Sequence, residues 1–184
     1  FAADGRFLRK WGSEGNGDGQ FNGPSGLTVD GIGDVYVTDL YNDRVQVFES
    51  NGRFVGKWGS EGSGDGQFRS SRGIVVDRSG QVHVVDMRNQ RVQVFDAGWN
   101  FQASLRGQAT VSPWAQEYLE ANADELDARS RFNPYIEVDT DVPHEVSARV
   151  EAFFWDPIAV EIDPDGRLIV ADSLRHRLQV YKRA

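Results

Sequence analysis

GLTVDGIGDVYVTDLYNDRVQVF, residues 26–48, recurs as GIVVDRSGQVHVVDMRNQRVQVF at 73–95, an offset of 47 residues. The likeness extends upstream, where GRFLRKWGSEGNGDGQF (5–21) becomes GRFVGKWGSEGSGDGQF (52–68). A third copy, FFWDPIAVEIDPDGRLIVADSLRHRLQVY (153–181), follows after a gap. There Asp163, Asp172 and Arg177 lie 86 residues beyond Asp77, Asp86 and Arg91. The second offset is 39 longer than the first, so a segment of that length is inserted between Arg106 and Phe154. Self-similarity at a fixed period marks stacked units, none of which can bury its apolar faces alone.

Each copy divides into short β-branched runs bounded by turns. LTVD, IVVD and AVEID read as a first strand, followed by the Gly-containing turns GIGD, RSGQ and PDGR. VYVTD, VHVVD and LIVAD form a second, and RVQVF, RVQVF and RLQVY alternate with period two as a third. A fourth strand is predicted over RFLRKW (6–11), RFVGKW (53–58) and, more weakly, FQASLR (101–106). Four antiparallel strands joined by tight turns make one sheet, and radial stacking of such sheets gives a β-propeller. The predicted fold class is all-β: a propeller of four-stranded antiparallel blades with one inserted α-helix. Its repeats run over 5–51, 52–106 and 154–184, with the insertion at 107–153.

The pattern resembles the NHL repeat. Pro24, Gly26, Val29, Asp30, Gly33, Val37, Asp39, Asn42, Arg44, Gln46, Val47 and Phe48 fit it almost throughout. The second copy has Ser71 in place of the proline. The third has Ala159 for the glycine, Arg175 for the asparagine and Tyr181 for the phenylalanine. The resemblance implies a six-bladed ring. It implies little about function, since NHL propellers range from protein and RNA binders to lyase-type enzymes. Bacterial secreted or envelope-associated relatives are common, which makes an extracytoplasmic location the expectation.

Three repeats are about half of such a ring, since six blades need roughly 270 residues. The sequence opens on fourth-strand residues and ends on third-strand residues. The expectation is therefore head-to-tail self-association into a homo-oligomer, in which the N-terminal strand of one copy completes the last blade of another. Phe7, Leu8 and Trp11 would supply one side of that contact, and Leu178, Val180 and Tyr181 the other. Membership in a longer propeller chain or larger complex is the alternative.

The recurring acid–arginine pairs, Asp39 with Arg44, Asp86 with Arg91 and Asp172 with Arg177, flank the turn between second and third strands. Such a pair can be bidentate or can bind turn N–H groups, and three repetitions point to architecture rather than catalysis. No catalytic residue is assigned. Glu14, Asp18, Glu61 and Asp65 sit in glycine-rich loops, where calcium is a weaker reading than a crossover needing positive φ. His83, His144 and His176 share no metal-ligand spacing, so no metal site and no cofactor is assigned.

The insertion departs from the repeats. Pro113 to Arg129 carries the one clear helical pattern, with Ser112 as its cap. FNPYIEVDTDVPHEV (132–146) reads as an extended crossing with two prolines. Pro113 to Ala152 holds ten of the 28 acidic residues and three of the 20 basic ones, so it carries nearly all of the net charge of −8. Trp114, Glu117, Tyr118, Glu120, Asp124, Glu125, Asp139 and Asp141 are the candidate docking residues for a basic or amphipathic protein.

The composition bounds the function classes further. There is no cysteine, which removes disulfides, thiolate sites and cysteine nucleophiles. The negative charge disfavours nucleic acid, and no run of 18 apolar residues exists to span a membrane. The expected function is a non-enzymatic protein-interaction or scaffold module. The alternative is a metal-dependent hydrolase or lyase using the propeller channel.

Overall fold

A computed structural model of the chain describes residues 2–107, 121–122, 141–149 and 152–182. Two two-residue strands, β1 (Ser13–Glu14) and β2 (Gln20–Phe21), pair in parallel and close the first glycine-rich loop. Three sheets follow. The first blade is β3 (Pro24–Val29), β4 (Val35–Asp39), β5 (Arg44–Phe48) and β6 (Phe54–Trp58). The second is β7 (Ser71–Val76), β8 (Val82–Asp86), β9 (Arg91–Phe95) and β10 (Phe101–Leu105). The third is β11 (Pro157–Ile162), β12 (Leu168–Asp172) and β13 (Arg177–Tyr181). Strand order follows chain order within each blade, and every pairing is antiparallel. The first strands β3, β7 and β11 lie side by side along the inner edge.

Two apolar seams join the blades. Tyr36, Val45 and Val47 of the first pack on Phe68, Ile74, Val82 and Val84 of the second. Val75, Val85 and Val92 of the second pack on Phe154, Val160, Leu168 and Val170 of the third. Period-two strands put these residues on facing sheet surfaces, and each fully buried aliphatic contributes about 1.5–3 kcal/mol. Glycines allow the blades to approach. A Cβ on Gly73 would lie 2.8 Å from the Ala159 Cα, so β7 and β11 meet backbone to backbone. The insertion leaves and rejoins at one point, because the Phe154 N–H donates to the Arg106 carbonyl at 2.8 Å.

Three expectations need correcting or bounding. Residues 6–11 form no strand among the described residues, although their sequence matches β6. A strand needs a ladder partner, and here β5 and β9 already pair with β6 and β10. Pro143, read as part of an extended crossing, instead opens a short helix, α1 (Pro143–Arg149). Proline is tolerated in a first helical turn, where its missing N–H has no intrahelical partner anyway. Of the helix predicted over 113–129, only Ala121, which is helical, and Asn122 lie among the described residues.

Candidate interaction surface

The acid–arginine pairs organise the loops from which each blade begins. Arg44 Nε donates to Asp39 Oδ2 at 2.8 Å, and its Nη groups donate to the carbonyls of Asn16, Gly17 and Gln20. Arg91 repeats this with Asp86 at 2.7 Å and with the carbonyls of Gly64 and Gln67. Arg177 Nε meets Asp172 at 2.8 Å, and its Nη2 donates to the Phe153 carbonyl. The contact is single rather than bidentate because Nη2, the donor that would complete the fork, is committed to loop carbonyls. The second carboxylate oxygen accepts a backbone N–H: Asn22 to Asp39, Arg69 to Asp86 and Trp155 to Asp172. Burial is the largest influence on Asp86 and pushes its carboxyl up from the ordinary value.

A second recurring device ties neighbouring blades. Asp43, Gln90 and His176 hold one repeat position at the end of the turn between second and third strands, all at positive φ. Gly23, Ser70 and Asp156 hold another, just before each first strand, also at positive φ. The Ser70 N–H donates to Asp43 Oδ1 at 2.7 Å, and the Asp156 N–H to Gln90 Oε1 at 2.6 Å. Each blade thus clasps the start of the next. Sequence comparison of the repeats misses this because the residue types differ; only the shared position signals it.

On the same face a cleft of about 630 Å³ opens among Asp43, Glu61, Arg69, Arg88, His144 and Asp156. Desolvation pushes the Asp43 carboxyl up, with Glu61 adding to that and Arg88 and Arg69 opposing it. Helix α1 is fastened beside this cleft. The Trp155 Nε1–H donates to His144 Nε2 at 3.0 Å, Arg175 donates to the Ser147 carbonyl at 2.7 Å, and its guanidinium lies 5.3 Å from the Trp155 ring centre. The end of the acidic insertion is thereby anchored on the loop face of the second and third blades. Asp141 is exposed just before α1; Trp114, Glu117, Tyr118, Glu120, Asp124, Glu125 and Asp139 lie outside the described residues. Among the described residues, no three His, Asp or Glu side chains group so as to hold a metal, and no helix is long and apolar enough to cross a membrane.

The two ends of the blade stack present apolar faces. On the trailing face, Leu178 and Val180 are 67% and 57% exposed, whereas Val92 and Val94, their repeat equivalents, are 0% and 8%. On the leading face Leu27 is 71% exposed, whereas Ile74 and Val160 are 5% and 7%. Phe7, Leu8 and Trp11 are also exposed, and Tyr181 is half-buried against Phe154.

Known proteins share this architecture. Residues 28–136 match the family described as DUF5128, a 6-bladed beta-propeller, and residues 154–181 match the NHL repeat. The sequence matches no curated protein. Among solved structures, a Bacteroides thetaiotaomicron protein of unknown function is 17% identical with a TM-score of 0.55, over 84% of this chain and 34% of its own. A virginiamycin B lyase from Staphylococcus aureus is 9% identical with a TM-score of 0.46, over 88% of this chain and 41% of its own. The chain spans less than half the length of these structures. The first of them shares the fold, and the match over more than half of the sequence places the chain in the 6-bladed β-propeller family DUF5128, with an NHL repeat as its third blade.

Proposed function

We propose that this chain is a non-enzymatic interaction module that assembles head to tail with a second copy into a six-bladed ring. Its acidic insertion then serves as a docking surface for a basic or amphipathic protein. The observation that carries the assembly is the pair of exposed apolar end faces, built from the same repeat positions that are buried at both internal seams. Exposed apolar patches of this kind mark association surfaces. Docking rests on the charge of the insertion and on the anchoring of α1 to the loop face, which holds its end beside the cleft.

Deleting residues 110–150 separates the two parts. Arg106 and Phe154, which flank the deleted segment, are already hydrogen-bonded, so the blades are expected to tolerate it. The expected result is an unchanged oligomer that no longer binds a Lys/Arg-rich amphipathic peptide in fluorescence anisotropy. Undiminished peptide binding would refute docking by the insertion. A monomeric parent chain would refute the assembly.

A further inference from the structure

We infer that the cleft over the second blade is a binding site for a small monocarboxylate with an apolar substituent, its carboxylate held by Arg69 and Arg88. This goes beyond the assembly and docking reading and depends on neither.

The site begins as a departure from the repeat. Arg69 and Arg88 occupy positions held by Asn22 and Tyr41 in the first blade and by Trp155 and Leu174 in the third. The fold joins these two positions by a backbone hydrogen bond each time. The Tyr41 N–H donates to the Asn22 carbonyl at 3.0 Å, that of Arg88 to Arg69 at 3.2 Å and that of Leu174 to Trp155 at 3.0 Å. Only the second blade places a guanidinium at both. A third departure lies beside them. Arg72 stands where the flanking blades have Ser25 and Ile158, and its Nε donates to the Met87 Sδ at 3.1 Å. Met87 lines the cleft together with Arg69 and Arg88.

These guanidiniums differ from the architectural ones. Arg44, Arg91 and Arg177 each meet a buried carboxylate at 2.7–2.8 Å. Arg69 and Arg88 are exposed, and among the described residues neither side chain has a hydrogen bond or an ion pair. Both still act on the cleft, since they oppose the rise that desolvation gives the Asp43 carboxyl. The acceptors around them are largely occupied. Asp43 Oδ1 takes the Ser70 N–H at 2.7 Å, Asp156 Oδ1 the Gln90 Nε2–H at 2.8 Å, and His144 Nε2 the Trp155 indole N–H at 3.0 Å. The unspent hydrogen-bonding capacity is therefore mainly donor, in the planar N–H forks of the two guanidiniums.

Charge, shape and size define the ligand class. A guanidinium fork matches the two oxygens of a carboxylate. Asp43, Glu61 and Asp156 line the same cleft, and their repulsion grows with ligand charge, which favours a monocarboxylate over a phosphate dianion. Met87, Pro143 and the exposed Val142 offer apolar surface for the rest of the molecule. A volume of about 630 Å³ lies within the range of small-molecule sites.

Titration of the full chain with phenylacetate, followed through backbone amide shifts in NMR, tests the site. Two controls accompany it: phenylacetamide, which keeps the shape and loses the charge, and inorganic phosphate. Phenylacetate is expected to bind with a Kd of about 1 mM and to shift the amides around Arg69 and Arg88, and each control to bind about 10-fold more weakly or less. Arg69→Gln and Arg88→Gln change exposed side chains and leave the backbone hydrogen bond between the two positions in place. Each is expected to weaken phenylacetate about 10-fold, the effect of losing a hydrogen bond to a charged group. Arg78→Gln, in the turn at the far end of β7, is expected to leave the affinity unchanged. No shift at up to about 10 mM phenylacetate would overturn the assignment, as would equal binding of phenylacetamide or phosphate. So would losses in Arg69→Gln and Arg88→Gln no larger than in Arg78→Gln. The oligomeric state and the binding of Lys/Arg-rich peptides are read separately, so these outcomes leave the proposed function standing.

Discussion

Replacing Arg91 with alanine removes the most buried of the three guanidiniums. Arg91 is 2% exposed and its partner Asp86 0%. The substitution deletes the 2.7 Å contact to Asp86 and two hydrogen bonds to the crossover carbonyls of Gly64 and Gln67. Asp86 keeps the Arg69 N–H and the side-chain amides of Asn89 and Gln93, but loses its counter-charge. Breaking a buried pair from one side costs about 3–5 kcal/mol. With a urea m-value of about 2 kcal/mol/M, the midpoint should fall by about 2 M. Trp58 and Trp99, stacked at 5.3 Å, are natural fluorescence reporters. The Arg177 side chain is 23% exposed, so solvent screens its pair and Arg177→Ala should cost only about 1–2 kcal/mol. The pH dependence has a definite sign. Burial already pushes Asp86 up, and loss of Arg91 pushes it further. The folded variant then binds a proton more tightly than the unfolded chain, so its stability falls as pH rises above the ordinary carboxylate value toward the folded one. The deficit relative to the parent should therefore be larger at pH 7.5 than at pH 5. A midpoint change equivalent to less than about 1 kcal/mol, or a deficit that shrinks with rising pH, would refute this view of the pair.

Other substitutions probe the seams and loops. Gly73→Ala places a methyl 2.8 Å from the Ala159 Cα and should cost about 1–3 kcal/mol in urea unfolding. Gly66→Ala, at φ +74° with nothing within 4 Å, should cost only the left-handed conformational penalty of about 1–2 kcal/mol. Asp43→Asn keeps an Oδ1 acceptor for the Ser70 N–H but cannot ionise. Because burial raises Asp43, the parent loses stability as pH rises from the ordinary carboxylate value to the folded one. The melting temperature of the asparagine variant relative to the parent should therefore increase across that window; a constant difference would contradict it. His144→Phe removes the acceptor for the Trp155 indole N–H and should speed amide exchange in α1 while leaving exchange in β7–β9 unchanged.

The blades were legible because period-two β-branched runs recur with their turns, and a propeller buries such runs on both sheet faces. What the sequence hides depends on partners. GRFLRKW and GRFVGKW are nearly identical, yet only the second forms a strand, because a ladder requires a neighbour as well as a propensity. Pro143 reads as a breaker, but α1 is fastened by Trp155 and Arg175, remote in sequence. The strands β1 and β2 are too short and polar to show a period. Asp43 and Gln90 both accept a backbone N–H from the next blade with different side chains, so their likeness emerges only from the backbone.

Sedimentation velocity across a micromolar concentration series bears most directly on the assembly. We expect a species of twice the 20.6 kDa chain mass, dissociating on dilution. A single species of 20.6 kDa at every concentration would contradict the head-to-tail ring.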